Sequence, residues 1–349
     1  MRRTIIAAAI LLGLSAPSWA QAPPGVNKAE DGIFQAFRTH PLVGMREAHA
    51  LAQQLDFYSA LIRDPRFARE VGNVVMELGD AAYQETIDRY VNGDYVAYPE
   101  LRKVWADTVG WSPTMNVLGT INVYATIRVV NMTLPPSQRI KVWLGDPPTD
   151  WSTIKTHTDL APLEAQRDSY PAGLIEREIL AKDKKALVIY GADHLRLGAG
   201  VDKDNLLALI SSRHPNAFFL VMPYPGYLTT ECAAPLESHF KDASIPALIS
   251  PIRGSSWEND IWHSGCAPAK PPPGMSPEKF DEGLRDYMLT GDALLYLGPH
   301  DRLVQSPKDP DIYLDLDFSA EIERRNQIRS GKPLKGNTAR ENPAAAQPF

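Results

Sequence analysis

Short runs of apolar residues, rich in valine and isoleucine, recur along the chain between longer stretches that have helical periodicity. Such runs are typical of parallel strands buried on both faces, so the sequence predicts an α/β fold with a mixed, mostly parallel sheet flanked by helices. Ligands of such sheets bind at the carboxyl ends of the strands, where we expect a pocket. The expected strands lie near residues 40–45, 73–78, 139–145, 185–191, 217–224, 245–250 and 292–298.

The same pattern predicts how the chain is divided. We expect a polar lead-in over residues 21–30 and a single α/β domain over residues 31–329. Residues 99–132 form a helical insertion, which either covers the pocket or packs on the core. Residues 330–349 lack apolar periodicity and are expected to be disordered.

Residues 1–20 have the features of a secretory signal peptide. Arg2 and Arg3 precede an apolar stretch that is too short to span a bilayer comfortably, and Ser18 and Ala20 are the small residues of a cleavage site. An uncleaved membrane anchor is the alternative. We therefore expect cleavage near Ala20, a mature protein without a membrane span, and a periplasmic or secreted location.

The chain contains two cysteines, Cys232 and Cys266. In an oxidising compartment they are expected to form one disulfide bond, which would stabilise the fold by roughly 3–4 kcal/mol in the chain-entropy model. Two free buried thiols are an alternative. Two thiolate metal ligands are disfavoured because the chain has no Cys-x-x-Cys spacing.

Charge and motif content disfavour several classes of protein. The net charge is −6 and the sequence has no basic stripe, which disfavours a nucleic-acid partner. The chain has no G-x-S-x-G elbow for a serine nucleophile, no P-loop and no G-x-G-x-x-G fingerprint. We therefore expect a small-molecule substrate and no bound nucleotide.

Glu47 and His49 lie where the first expected core strand runs into a helix. A carboxylate and a neutral imidazole two residues apart at such a turn suit zinc or manganese binding, or a general-base pair that activates water. The alternative is that Glu47 is a first-turn carboxylate that stabilises the helix N-terminus, with His49 half exposed.

Three further motifs carry candidate site residues. Glu77 interrupts an apolar run, and burial of its carboxylate costs several kcal/mol unless the group is paired or bound to a metal. Arg167, next to Asp168, is a partner that would satisfy Glu77 without any catalysis. Gly191 ends an apolar strand and permits close backbone approach, so His194 is expected at the rim of the sheet, with a solvated turn as the alternative.

The order of these motifs over residues 31–300 resembles the erythromycin esterase-like, ChaN and Tiki superfamily. Members have a Gly-Glu-x-His-type motif after the first strand, a glutamate at the end of the next, and a Gly-x-x-His motif after a later strand. The esterase branch adds an Arg-Asp pair, a Gly-x-Asp strand end and a characteristic C-terminal strand. The matching residues are Glu47 with His49, Glu77, Gly191 with His194, Arg167 with Asp168, Gly145 with Asp146, and residues 292–298. One departure is Gly44, which is displaced from Glu47 and predicts a differently shaped first turn.

The resemblance implies a mixed α/β fold with a pocket at the strand ends. Its members include macrolide esterases that use a histidine-activated water, metal-dependent proteases, and haem or iron-uptake proteins. The resemblance does not choose between these activities.

We therefore expect an exported hydrolase of ester or amide bonds. Glu47, His49, Glu77 and His194 are the expected polar centre and also the candidate ligands of a divalent metal, zinc or manganese. His49 is the expected general base, and His194 is a ligand or an oxyanion stabiliser.

Two further expectations complete the hypothesis. Arg167 and Asp168 are expected to hold the carboxylates of the centre in place. The alternative function is an exported haem or iron carrier without turnover, in which tyrosines such as Tyr83, Tyr124 and Tyr190 would ligate iron.

Overall fold

In a computed structural model, the protein is described over residues 25–110, 115–196, 204–224, 230–241, 243–264, 276, 278–279 and 289–333. The expected signal peptide over residues 1–20 and most of the expected tail lie outside the described residues, so both stay predictions. Among the helices in the described ranges, none is long and apolar enough to cross a membrane.

Eight strands within the described residues form one sheet. They are β1 (Val26–Lys28), β2 (Leu42–Glu47), β3 (Asn73–Asp80), β4 (Lys141–Asp146), β5 (Ala186–Gly191), β6 (Phe218–Pro223), β7 (Ala247–Ile249) and β8 (Ala293–Tyr296). Their order across the sheet is β1-β7-β8-β6-β2-β5-β3-β4. The pairs β1–β7 and β7–β8 are antiparallel, and the other pairs are parallel. The predicted mixed, mostly parallel α/β sheet is therefore confirmed.

The central strands are buried because helices cover both faces of the sheet. Every residue of β2, β3 and β5 is buried, as their nearly continuous apolar sequences predicted. Edge strand β1 was not predicted. It has three residues, of which Val26 is buried, and it joins the sheet through backbone pairing with β7, so its sequence carries no apolar alternation to detect.

The helices of the described residues fill the connections between the strands. Their bounds are α1 (Ala29–Ala36), α2 (Ala52–Arg63), α3 (Pro65–Glu70), α4 (Gln84–Val91), α5 (Tyr98–Ala106), α6 (Leu118–Asn131), α7 (His157–Glu164), α8 (Ser169–Glu178), α9 (Leu206–Arg213), α10 (Thr230–Ser238), α11 (Glu258–Ser264), α12 (Asp311–Leu314) and α13 (Leu316–Ser330). Short 3₁₀ turns occur at Ala81–Tyr83, Pro136–Gln138, Leu180–Lys182 and His300–Arg302.

Helices α5 and α6 lie within the expected insertion over residues 99–132. Both contribute to the main hydrophobic core, through Trp105 from α5 and through Tyr124 and Ile127 from α6. The indole of Trp105 stacks on the ring of Tyr124 with centroids 6.0 Å apart. The described part of this segment therefore packs on the core.

The first helix after β2 starts later than its sequence suggested. The apolar pattern predicted a helix from Glu47, whereas α2 begins at Ala52. Ala50 has a left-handed backbone with φ of +69°, which makes a turn between strand and helix. Glu47 is therefore the last residue of β2 and not a first-turn carboxylate of the helix.

Cys232 lies in α10, where it is buried and is not a free thiol. Cys266 lies outside the described residues. The bridge between the two cysteines therefore stays a prediction.

Candidate functional site

Ionisable residues converge at the carboxyl ends of four neighbouring strands. Glu47 is the last residue of β2 and Asp146 the last residue of β4. Glu77 and Asp80 lie in the second half of β3, which ends at Asp80. Gly191 ends β5, which lies between β2 and β3. The order β2-β5-β3-β4 therefore brings residues that are remote in sequence to one edge of the sheet.

Glu77 is the most completely satisfied carboxylate of this edge. It is 3% exposed. Its Oε1 accepts a hydrogen bond from Arg167 Nη2 at 2.7 Å and lies 3.3 Å from His194 Nε2, while its Oε2 accepts from the backbone N–H of Gly191 at 2.5 Å. Burial raises the pKa of Glu77, but the hydrogen bond and charge of His194, with the charges of His49 and Arg167, outweigh it and lower the pKa to about 2. Glu77 is therefore a fixed anion.

His194 is held between two carboxylates. Its Nδ1 lies 2.7 Å from Asp168 Oδ1, and its Nε2 faces Glu77. Burial lowers the pKa of His194, but hydrogen bonds with Asp168 and Glu77 outweigh burial and raise the pKa to about 9. The Asp168 oxygen also accepts the backbone N–H of Leu206, at 2.7 Å. Asp168 therefore fixes the ring through Nδ1, so that Nε2 faces Glu77.

Gly191 lets His49 and Glu77 approach each other. A Cβ on Gly191 would lie 2.8 Å from His49 Nε2 and 3.1 Å from Glu77 Oε2. Both distances are shorter than ordinary contacts, so any larger residue would push one group aside. The glycine that the sequence singled out for close approach admits two side chains of the protein itself.

His49 is the accessible member of the centre. Its side chain is 36% exposed, whereas that of Glu47 is 4% exposed, and Nδ1 lies 3.9 Å from Glu47 Oε2. Burial lowers the pKa of His49, but its interactions with Glu47 and the charge of Glu77 outweigh burial and the opposing charge of Arg167, so the pKa rises to about 9. The arrangement stabilises a positive charge on this imidazole.

Arg167 joins Glu77 to a second buried acid. Besides its hydrogen bond to Glu77, its Nε lies 3.6 Å from Asp146 Oδ1. A Cβ on Gly110 would lie 2.3 Å from Arg167 Nη2, so this glycine gives the guanidinium room against the backbone. Arg167 therefore links Glu77 to Asp146 at this edge of the sheet.

Asp80 and Asp146 form a pair that the sequence analysis did not include as a pair. They are register partners across β3 and β4, at a point where the register shifts after Met76. Both are buried, and among the described residues Asp80 Oδ2 has no hydrogen-bond partner. Burial, opposed by the charge of Arg167, raises the pKa of Asp146 to about 7. Burial and the charge of Asp146 raise the pKa of Asp80 to about 8, against hydrogen bonds from the backbone of Ala82 and Thr149.

The expected divalent-metal site is not found. Within the described ranges, no group of three or more His, Cys, Asp or Glu side chains is placed to hold a metal ion. The geometry gives the reason, because both nitrogens of His194 face carboxylates and Glu77 is bonded to Arg167 and Gly191.

The tyrosines expected for haem or iron ligation are engaged elsewhere or enclosed. Tyr83 donates to Asp107 Oδ2 at 2.6 Å, and the buried Tyr124 donates to the carbonyl of Leu78 at 2.5 Å. Tyr190 is 1% exposed, and a Cβ on Gly145 would lie 1.9 Å from its hydroxyl.

A second polar group lies after β6 and β8 on the same edge. Glu237 Oε1 accepts the hydroxyl of Tyr224 at 2.9 Å and the backbone N–H of His300 at 2.7 Å. The same oxygen lies 2.9 Å from His300 Nδ1. His300 begins the 3₁₀ turn that follows β8, whereas Glu237 lies in α10 and carries no strand-end signal in the sequence.

No family model matches the chain, and no curated protein matches it. A protein from Bacillus cereus has a similar solved structure, with 10% identity, 79% of this chain and 91% of that chain covered, and a TM-score of 0.47. The structure of the type III effector HopBA1 is 11% identical in sequence, covers 61% of this chain and 90% of its own, and has a TM-score of 0.37. ChaN of Campylobacter jejuni, whose structure shows cofacial haem binding, has 12% identity, 58% and 88% coverage and a TM-score of 0.38. These structures resemble the chain only distantly.

Proposed function

We propose that the chain is a hydrolase of ester or amide bonds in which His49 exchanges a proton with water. The observation that carries the proposal is the contrast in exposure within the centre: His49 is 36% exposed, whereas the carboxylates of Glu47 and Glu77 that act on it are each 4% exposed. A solvent-accessible imidazole backed by buried anions suits general-base catalysis.

The proposed chemistry follows from the two sides of the His49 ring. Nδ1 faces Glu47, which stabilises the imidazolium, so Nε2 is the nitrogen that takes the proton from water. The water oxygen forms a bond with the carbonyl carbon of the substrate. The bond to the leaving alcohol or amine then breaks, and the leaving group receives the proton from His49.

The other residues of the centre act as positioning groups in this proposal. Arg167 and His194 hold Glu77, and Asp168 holds His194. The fixed charge of Glu77 helps to raise the pKa of His49. Because only the neutral imidazole accepts a proton, we expect the rate of hydrolysis to rise with pH through a pKa of about 9.

The test is hydrolysis of a panel of p-nitrophenyl esters and anilides by the full chain. We expect His49→Gln to lower kcat/KM by about 100-fold or more, the usual contribution of a general base. His157→Gln is the matched control, because His157 is an exposed histidine in α7 that pairs with Glu164 at 3.2 Å. Equal rates for the wild type and His49→Gln would overturn the proposal.

Haem titration distinguishes the alternative function. In a carrier without turnover, stoichiometric haem would give a shifted Soret band that His49→Gln abolishes, and no ester would be cleaved. The enclosed hydroxyls of Tyr124 and Tyr190 support the hydrolase over this alternative. Export is also part of the proposal, and the N-terminal sequence of the mature protein tests it, with cleavage after Ala20 expected.

A further inference from the structure

A cavity of about 590 Å³ lies at the opposite edge of the sheet from the candidate site. Its walls come from residues 37–41, 180–185 and 213–217, which precede β2, β5 and β6. These three strands are neighbours in the order β6-β2-β5, so their amino ends bring the three segments together. The volume is within the range of about 300–1,000 Å³ found for small-molecule sites.

The walls of this cavity concentrate positive charge on a chain whose net charge is −6. The lining includes Arg38, Lys184, Lys185 and Arg213, and Asp183 is the acidic residue among its lining side chains. Because like charges repel, such a cluster at one strand edge favours an anionic ligand that neutralises it.

Most of this charge is not neutralised by the protein. Arg213 Nε lies 2.8 Å from Glu176 Oε1, and His214 Nε2 lies 3.3 Å from the same oxygen. Within the part of the chain that the structure describes, no acidic oxygen lies within 4.0 Å of the cationic groups of Arg38, Lys184 and Lys185. Three cations are therefore available to a ligand.

The backbone of the walls is held in defined turns. Asp183 and Asn216 both have left-handed backbones, with φ of +50° and +63°. His40 is fixed by a 2.9 Å hydrogen bond between its Nδ1 and Thr39 Oγ1 and by packing against Phe219, with ring centroids 5.5 Å apart. The cations thus project from a formed cavity and not from an unsupported surface.

We infer that this cavity binds a small ligand that carries a phosphate group. A phosphate dianion matches three unpaired cations better than a single carboxylate does, and a guanidinium and ammonium groups are the side chains that bind phosphate oxygens. The cavity is separate from the candidate centre, so its ligand is either part of a second substrate or an effector. In both cases the group that binds is a phosphate.

The test is calorimetric titration of the full chain with pyrophosphate. We expect saturable binding that weakens as salt is added, because salt screens exposed charges. The double variant Lys184→Ala, Lys185→Ala should bind about tenfold or more weakly, since each lost ion contact at a surface costs about fivefold. The matched control is Lys103→Ala with Lys332→Ala, two exposed lysines outside the cavity, and its affinity should equal that of the wild type.

Two results would overturn the inference. The first is the absence of saturable pyrophosphate binding, and the second is equal affinity in the cavity variant and the wild type. Flotation with phosphatidylglycerol vesicles separates the possible sources of phosphate. Vesicle binding without pyrophosphate binding would mean that the basic walls contact a lipid surface, and would reject a small-ligand cavity.

Discussion

Raising the pH from about 6 to about 9 is expected to destabilise the folded protein, because buried groups at the site hold protons that the unfolded chain releases. His194 makes the clearest contribution. In the folded protein the pKa of His194 is raised to about 9 from an ordinary value of 6.5, and its side chain is 11% exposed. The stabilisation is therefore complete below pH 6.5 and is lost as the pH rises through 9. The difference is worth about 3 kcal/mol of unfolding free energy.

The two aspartates add to this loss with the same sign. The folded pKa values of Asp146 and Asp80 are raised to about 7 and about 8 from 3.8. The unfolded chain loses these protons first, so stability falls as the pH rises from 3.8 through the folded values. Glu77 has the opposite sign, because its folded pKa of about 2 lies below 4.5. Its contribution is present above pH 4.5 and is lost as the pH falls through 2, so the four groups together place maximum stability near pH 4.

Urea unfolding followed by tryptophan fluorescence measures the effect at several pH values. The wild type should lose at least about 3 kcal/mol between pH 6 and 9, and His194→Gln should show a slope smaller by up to about 1.4 kcal/mol per pH unit. His157→Gln, at an exposed position, should keep the wild-type slope. Equal or greater stability at pH 9, or a wild-type slope in His194→Gln, would refute the charge network as described.

Three further changes test the centre. Arg167→Met leaves the buried Glu77 carboxylate without its guanidinium donor and should cost about 3 kcal/mol or more in urea unfolding, since breaking a buried ion pair strands a charge. Gly191→Ala places a Cβ 2.8 Å from His49 Nε2, and the displaced ring should lower ester hydrolysis by about 10- to 100-fold with a small change in Tm. Asp80→Asn removes a carboxylate whose pKa is raised to about 8, so urea unfolding should show a gain in stability over the wild type that is larger at pH 9 than at pH 5.

Each of these changes has a matched control in the chain. Arg69→Met removes an exposed arginine that lies 3.6 Å from Glu70 and should change stability by less than about 1 kcal/mol. Gly173→Ala adds a Cβ with nothing within 4 Å and should leave hydrolysis unchanged. Asp193→Asn, at an 83% exposed side chain, should show no gain at pH 9. Equal behaviour of a site variant and its control would contradict the role assigned to that site residue.

The sequence predicted seven of the described strands because each lies in an apolar run, which is typical of a buried strand. It placed the start of α2 too early, since the left-handed turn at Ala50 is occupied by a residue that is usually helical. Propensity alone gives no warning of such a turn. Strand β1 was missed for a different reason, because backbone pairing with β7 and not apolar burial holds it.

The candidate site was predicted in part. The sequence linked Glu77 with Arg167, because a carboxylate in an apolar strand needs a partner, and the two lie 2.7 Å apart. It could not predict that Asp80 and Asp146 are register partners, because that pairing depends on the irregular register of β3 against β4.

The two glutamates of the centre differ in what their surroundings leave them free to do. Glu77 has three donors around its two oxygens, so its charge is already compensated on the sheet side. Glu47 has His49 as its ion-pair partner among the described residues, at 3.9 Å, too far for a fixed hydrogen bond. A proton gained by His49 is therefore stabilised chiefly by Glu47, while Glu77 sets a constant background charge. The two carboxylates beside His49 therefore have different roles. Glu77 is held in place by Arg167 and His194, and Glu47 is the counter-ion of His49.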